Sequence, residues 1–317
     1  MRKAALLYNP DSGGKVARRQ RELQSSLEVL RNGGVEADVI LAESRDRAGE
    51  HIRQAIASGC DTIFACGGDG TIHNVAQVLA NSVVALAILP MGTANALAHD
   101  IGLPLSVVGA AQAALRAVPR RVALGRVTYV DLQGTSDARY FVITAGVGVD
   151  AHLFYKLHTG TKKRMGMAAY YAKAWNLWFT YPMTRFVAEY VETGADAPKR
   201  ADVTELMSVR IRNFGGVLQE LAPGASLDRD DMRVVFCRTA SRLSYLAYVT
   251  RGLLRRRWKI PGIDLAYSTK VSCGYLSSSA LQEQRKIYIE ADGELLGALP
   301  VEITVVPNAL TLLAPSP

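Results

Sequence analysis

Ile63-Phe64-Ala65-Cys66-Gly67-Gly68-Asp69-Gly70-Thr71-Ile72-His73-Asn74 is the stretch whose reading decides the fold. The apolar run Ile63 to Cys66 predicts a buried parallel strand, and a helix is expected from about Ile72. Between them lie three glycines in four residues, Gly67, Gly68 and Gly70, which let a ligand approach the main chain. Backbone N–H groups at the start of the helix and the positive end of its dipole make the turn a seat for phosphate. Asp69 stands in the middle. A carboxylate beside phosphates repels them unless it holds a cation or takes up a proton, so the turn reads as a catalytic or metal-coordinating phosphate site rather than a plain anion cradle. The rival reading is an ordinary Gly-Asp-Gly turn.

Outward from this stretch, strand and helix alternate through residues 1–118. Lys3 to Tyr8, Val35 to Ala42 and Val84 to Leu89 read as further strands. Helices are expected over Val16 to Arg31, Ala48 to Ser58, from the glycine turn to Asn81, from about Ala94, and over Val107 to Val118. The alternation predicts a Rossmann-like parallel sheet covered on both faces. Three turns, residues 9–14, 67–71 and 90–93, then fall at the C-terminal ends of strands, the edge where open parallel sheets bind ligands. No Gly-x-x-x-x-Gly-Lys-Ser/Thr motif is present, which excludes a P-loop protein.

From Val122 onward short β-rich runs recur: Val122 to Val130, Arg139 to Ala145, Thr184 to Val191, Leu206 to Asn213, Met232 to Cys237, Thr269 to Gly274, Lys286 to Ala291 and Val301 to Val306. Helical interruptions are expected near 164–179 and 243–256. The domains are accordingly read as 1–121, α/β and nucleotide-binding, and 122–317, an antiparallel β-rich sandwich. Gly146-Val147-Gly148-Val149-Asp150-Ala151 imitates a dinucleotide fingerprint, but it lies outside the alternating half and lacks the acidic residue about 20 positions on.

The chain has 317 residues, a net charge of +8 and four cysteines without paired spacing, which suits a reduced cytosolic protein. Gly70 to Ala98 carries no charged residue, yet Asn74, Gln77, Asn81, Pro90 and Asn95 divide it into helix, strand and turn rather than a membrane span. The N-terminus reads as a first strand and not a signal peptide. The basic balance favours an anionic partner, and no nucleic-acid motif accompanies it.

Asn9-Pro10-x-Ser12-Gly13, Gly67-Gly68-Asp69-Gly70-Thr71, Pro90-Met91-Gly92-Thr93-Ala94-Asn95, Gly148-Val149-Asp150-Ala151 and Asp292-Gly293-Glu294 occur in this order along nearly the whole chain. So do Asn213-Phe214-Gly215-Gly216 and Ala222-Pro223-Gly224-Ala225. Together they resemble the diacylglycerol kinase catalytic-domain family, in particular the bacterial lipid kinases related to sphingosine kinases. NAD kinases and phosphofructokinases carry similar glycine-rich turns. The resemblance implies ATP- and Mg²⁺-dependent phosphorylation of a lipid hydroxyl (diacylglycerol, phosphatidylglycerol, a sphingoid base), in a cleft between the α/β domain and the β-sandwich. It implies that Asn9 and Ser12 form a first nucleotide-contacting turn and that Gly67, Gly68, Gly70 and Thr71 form the phosphate turn. Gly92, Thr93 and Asn95 would form a second. Asp292 and Glu294 would face the cleft, one of them as a base. Two departures stand out. Asn95 is followed by Ala96 where the family often has Asp, as in the sphingosine-kinase branch. The family's Leu-Asp-Asp-Gly-x-Leu-Asp stretch, linked to a structural metal, reads Leu227-Asp228-Arg229-Asp230-Asp231-Met232-Arg233.

On this reading Asp69 or Glu294 is the catalytic base and the metal set is Asp69 with Asp292; sequence does not assign the roles further. Asp292-Gly293-Glu294 is also readable as a plain β-turn. Asp150 orients the substrate headgroup or caps the following helix. Lys15, Arg18 and Arg19 reach phosphates from the first helix or, the favoured reading, fit a solvated helix face, and His73, His99 and His152 fit a surface or core edge. Leu253 to Lys259 and Lys162 to Arg164 are the densest basic runs. With Leu243, Leu246, Val249 and Trp258 they suit peripheral docking of a cytoplasmic protein on an anionic membrane, and Tyr170 to Phe179 suit an acyl-chain pocket. Two rivals stay open: an NAD kinase-like enzyme with a soluble substrate, and a nucleotide-regulated membrane-binding protein without catalysis.

Overall fold

A computed structural model describes residues 1–8, 16–41, 45–149, 151, 182–215, 220–254, 258–276 and 286–315. The chain forms two compact units. The first comprises Met1–Leu124, Asn213–Val217 and Val306–Pro317, and the second Gly125–Arg212 and Leu218–Val305.

In the first unit β1 (Lys3–Tyr8), β2 (Glu36–Leu41), β3 (Thr62–Gly67) and β4 (Ala85–Pro90) are parallel, in the spatial order β2-β1-β3-β4. β3 and β4 are buried along their whole length, which is why they read as unbroken apolar runs. α1 (Val16–Asn32) buries Leu23, Leu27 and Leu30 and packs with α5 (Val107–Ala114); α2 (Arg45–Ala57) packs with α3 (Asp69–Leu79). A short α4 (Ala96–Asp100) follows β4. Among the boundaries that differ from expectation, two are informative. Gly68 is extended and acts as the cap of α3, so the helix starts at Asp69 instead of near Ile72. α5 stops at Ala114 and β5 (Val118–Val130) begins early, because Pro119 can neither follow a helical residue comfortably nor donate within a helix.

The second unit is antiparallel. β6 (Ser136–Phe141) pairs with β5, and the order of the others is β14-β13-β7-β10-β11-β12-β8-β9. These are β7 (Thr144–Gly148), β8 (Phe186–Glu192), β9 (Pro198–Val203), β10 (Glu205–Val209), β11 (Met232–Cys237), β12 (Ile263–Gly274), β13 (Tyr288–Ala291) and β14 (Glu294–Ala314). β12 changes partners midway, from β11 to β8 and β14, at a register shift between Ser268 and Val271. The Ser268 hydroxyl bridges that irregularity by donating to main-chain carbonyls and accepting from the Lys270 N–H. Strands that switch layers at such a bulge are how one sheet folds over a shared core. α6 (Arg242–Leu253) starts on a Ser241 side-chain cap. Gly146, Val147 and Gly148 lie inside β7, which disposes of the dinucleotide pattern. β9, exposed and charged at its start, gave no alternation to read.

The core of this unit gathers Phe141, Phe186, Val234, Phe236 and Ile289, with Tyr190 stacked on Phe236 at 4.3 Å. All four cysteines are buried free thiols. Among the described residues no helix is long and apolar enough to cross a membrane. Phe236→Ala should lower stability by about 3–5 kcal/mol, through lost burial plus the cavity left under Tyr190. An unchanged urea midpoint would show that the site refills.

Candidate active site

The parallel register fixes where the glycine turns lie. Tyr8 pairs with Cys66, and Gly67 with Pro90, so β1, β3 and β4 end at one level on adjacent positions. β1 leads to β2 on one side and β3 lies on the other, so the strand order reverses there. This is the switch point at which open α/β sheets leave a crevice.

Two turns meet at this edge. A Cβ on Gly92 would lie 2.4 Å from the Cα of Gly68 and 2.7 Å from Asn95 Oδ1, so the two main chains are in direct contact and no side chain fits between them. The Met91 N–H donates to the Gly67 carbonyl at 2.9 Å and extends the ladder into the turns. Asn95 adopts a left-handed conformation, φ 49°, and clamps the second turn: its Oδ1 accepts from Gly92 N–H at 2.8 Å, and its Nδ2 donates to the Gly92 carbonyl at 3.1 Å. Asn tolerates this conformation because its amide bonds locally.

Asp69 opens α3, half-buried, and its Oδ1 accepts from the Leu97 N–H at 3.4 Å, a bond from one turn's helix to the other's. The first turn of α3 brings N–H groups to the same edge. Thr71 is buried behind Gly67, and Thr93 is exposed. Sequence placed Arg19 on a solvated face; the structure turns it inward, with Nη2 donating to the Met91 carbonyl. His73 is fully buried, not at a core edge, and Gln77 bonds to its carbonyl and ring. Asn213, from the late family-like segment, donates its N–H to Asp100 at 2.8 Å and so belongs to the floor under α4. Only its pairing across 113 positions reveals that role.

In the strand-rich unit, Asp292 and Gly293 form the two-residue turn between β13 and β14, both at positive φ (48° and 82°). The Asp292 carboxylate accepts the N–H groups of Val142, Ile143 and Thr144 at 2.9, 2.9 and 3.0 Å. These bonds replace ladder bonds, and for that reason the expected strand 139–145 breaks into β6 and β7. The carboxylate assigned to a metal is thus engaged by three main-chain donors, and a cation there would have to compete with them. Glu294, half-buried, is the first residue of β14. Among the described residues no three His, Cys, Asp or Glu side chains gather as a metal nest.

The Leu227 to Arg233 stretch is built around an ion pair. Arg229 grips Asp231 with two bonds, 2.6 and 2.7 Å, and the buried Arg210 donates to the Asp231 carbonyl. Arg229 and Arg233 both lie over the Tyr267 ring, at 4.0 and 4.2 Å. Burial opposes the charge on Asp231, but hydrogen bonds from Arg229 and Thr193 and the charges of Arg229 and Arg210 hold its carboxyl below the usual range. Burial likewise pulls the Arg210 guanidinium down to about 10, leaving it charged at neutral pH. Asn9, Ser12, Lys15, Asp150, His152, Lys162 to Arg164 and the aromatic run Tyr170 to Phe179 lie outside the described residues.

Residues 3–127 match the family model of the diacylglycerol kinase catalytic domain. The chain is 26% identical to a diacylglycerol kinase of Bacillus subtilis over 95% of its length and 93% of the relative's. It is 25% identical to the diacylglycerol kinase of Staphylococcus aureus strain JH9, over 99% and 93%. Its fold is shared with a diacylglycerol kinase crystal structure from Bacillus anthracis (TM-score 0.69, 16% identity, 99% and 96% covered). It is shared more loosely with yeast NADH kinase in complex with NADH (TM-score 0.51, 10% identity, 99% and 84% covered).

Two outcomes are expected. Gly92→Ala should force the turns apart and cost about 1–3 kcal/mol, read as a lower melting temperature. Because the folded Asp231 has a lowered pKa, its pairing stabilises the protein fully above about pH 4 and progressively less below it. The difference in melting temperature between wild type and Asp231→Asn should therefore shrink from about pH 5 to about pH 3.

Proposed function

We propose that this chain is an ATP-dependent kinase that transfers a phosphoryl group to the hydroxyl of a lipid. The observation that carries the reading is the direct contact of the Gly68 and Gly92 backbones, with Asp69 set beside them at a shared sheet edge. Such an edge offers amide N–H groups and no side-chain bulk, which is what a polyphosphate needs. ATP carries about four negative charges, and phosphoryl transfer is mostly positioning and charge neutralisation.

Magnesium fits the residues present. It keeps several waters and needs only one or two carboxylates beside the phosphates, and Asp69 is a half-buried carboxylate at the turn. Bound there, Mg²⁺ would neutralise charge on the phosphate oxygens. Gly67, Gly68, Gly70 and Thr71 would hold one end of the polyphosphate, and Gly92, Thr93 and Asn95 the other. Asn9 and Ser12, which come after β1 in the sequence, would complete the nucleotide contacts. Arg19, drawn in over Met91, adds positive charge beside the second turn.

The acceptor alcohol has a pKa far above 7, so a carboxylate close to its proton assists as the new bond forms. Asp69 and Glu294 are the candidates. Asp292 serves the Glu294 hairpin, holding it through the three N–H bonds, and Asp150 remains a candidate for the substrate headgroup. The lipid acceptor rests on the names of the relatives and on the apolar outer face of α6. That face also supports a cytoplasmic protein working at a membrane surface.

Labelled ATP offered with diacylglycerol, phosphatidylglycerol, a sphingoid base or NAD should label a lipid. Label on NAD instead would favour the dinucleotide-kinase reading, and label on nothing a binding protein without catalysis. Asp69→Asn should lower turnover by about 10²–10⁴-fold while the melting temperature holds. Near-normal turnover in that variant would remove the central assignment.

A further inference from the structure

We propose that a cavity in the strand-rich unit binds the phosphate headgroup of an anionic phospholipid while the outer face of α6 lies on the bilayer. A kinase with a lipid acceptor, the reading above, gives this docking its purpose; the headgroup binding itself needs no nucleotide. The cavity, about 780 Å³, is walled by Tyr190, Arg233, Arg251, Trp258, Lys259 and Asp264 among others. Four cations line it, with Lys199, against two carboxylates, Glu192 and Asp264. Both carboxylates already have partners elsewhere in the wall or beside it, Glu192 with Lys199 and Asp264 with Arg238.

Arg251 lacks such a partner. It is 7% exposed and lies 4.6 Å from the Tyr248 ring. No carboxylate pairs with it among the described residues, and its Nη2 has no hydrogen-bond acceptor. A buried guanidinium with no anion is costly, and a phosphate oxygen would relieve it. Arg233 and Lys259 stand in the same wall to share the charge.

α6 has its polarity inverted. Tyr245, Tyr248 and Arg251 point into the protein, while Leu243 is 78% exposed, and Leu246, Val249 and Leu253 about two-fifths exposed, at 41%, 39% and 39%. The exposed set recurs every three or four residues and so forms one face. Leu254 and Trp258, the latter in the cavity wall, are exposed just beyond the helix. An apolar ridge with Trp and basic residues at its end is the pattern of a helix that lies in a membrane interface. A free phosphate would satisfy Arg251 but leave the ridge in water; an anionic bilayer satisfies both.

The test is sedimentation of the full-length protein, without nucleotide, with phosphatidylcholine vesicles and with vesicles containing about 30 mol % phosphatidylglycerol. Wild type should prefer the anionic vesicles by about tenfold or more, less so as salt rises. Arg251→Gln and, as a surface variant that keeps the fold, Lys259→Gln should each weaken anionic binding about fivefold. Leu243→Gln with Leu246→Gln should weaken binding to both vesicle types. Equal binding to the two vesicles, or variants that bind like wild type, would overturn the proposal. So would displacement by inorganic phosphate at matched ionic strength, which would make the cavity a site for a soluble anion. Phosphorylation of lipid in detergent micelles by the same preparation scores the kinase reading separately.

Discussion

The site depends on a contact that leaves no room for a side chain: the backbone of Gly68 against that of Gly92. Parallel register brings the ends of β3 and β4 level, and the two turns then touch because neither carries a Cβ. Everything else at the edge follows from that closeness. Asn95 can close its two bonds on Gly92, Asp69 can reach the Leu97 N–H, and Arg19 can rest on the Met91 carbonyl. A larger residue at either glycine would separate two helix starts that lie at one sheet edge. Interiors are packed too tightly to absorb such a change for free.

The strand-rich unit uses charge where the first uses the lack of side chains. Asp292 ends one strand run and starts another by taking three amides out of the ladder, and the Arg229–Asp231 pair braces the entry to β11. Carboxylates read as chemistry in the sequence thus include some that serve architecture. The distinction is physical. The three main-chain N–H groups on Asp292 hold backbone, whereas the Leu97 N–H meets Asp69 at a longer 3.4 Å in a half-buried turn.

Much of the first unit was legible because its signals are local. β1, β3 and β4 are apolar runs closed by glycine or proline, and a buried parallel strand cannot look otherwise. β11, apolar apart from Arg233, was legible as well. What could not be read depends on partners far along the chain. Asp292 finds Val142 across 150 positions, and Asn213 finds Asp100 across 113. Arg19 looked like one more solvated arginine until the Met91 carbonyl was placed beside it. His73 read as a surface or core-edge residue, and it is fully buried with a glutamine partner one turn on. β9 escaped because its outward residues are charged. The ion pair at Arg229 was visible only as a departure from an expected acidic pattern.

The first unit is not one stretch of chain. Its sheet gains a further parallel strand where Thr311 and Leu312 pair with Ala85 and Leu86, and its floor takes in Asn213. On the ribosome, the amino-terminal half must therefore emerge with an apolar sheet flank still bare. It can finish folding only once Thr311 and Leu312 have been translated. Until then the sheet awaits a strand, and a bare apolar edge on a nascent chain invites misassociation.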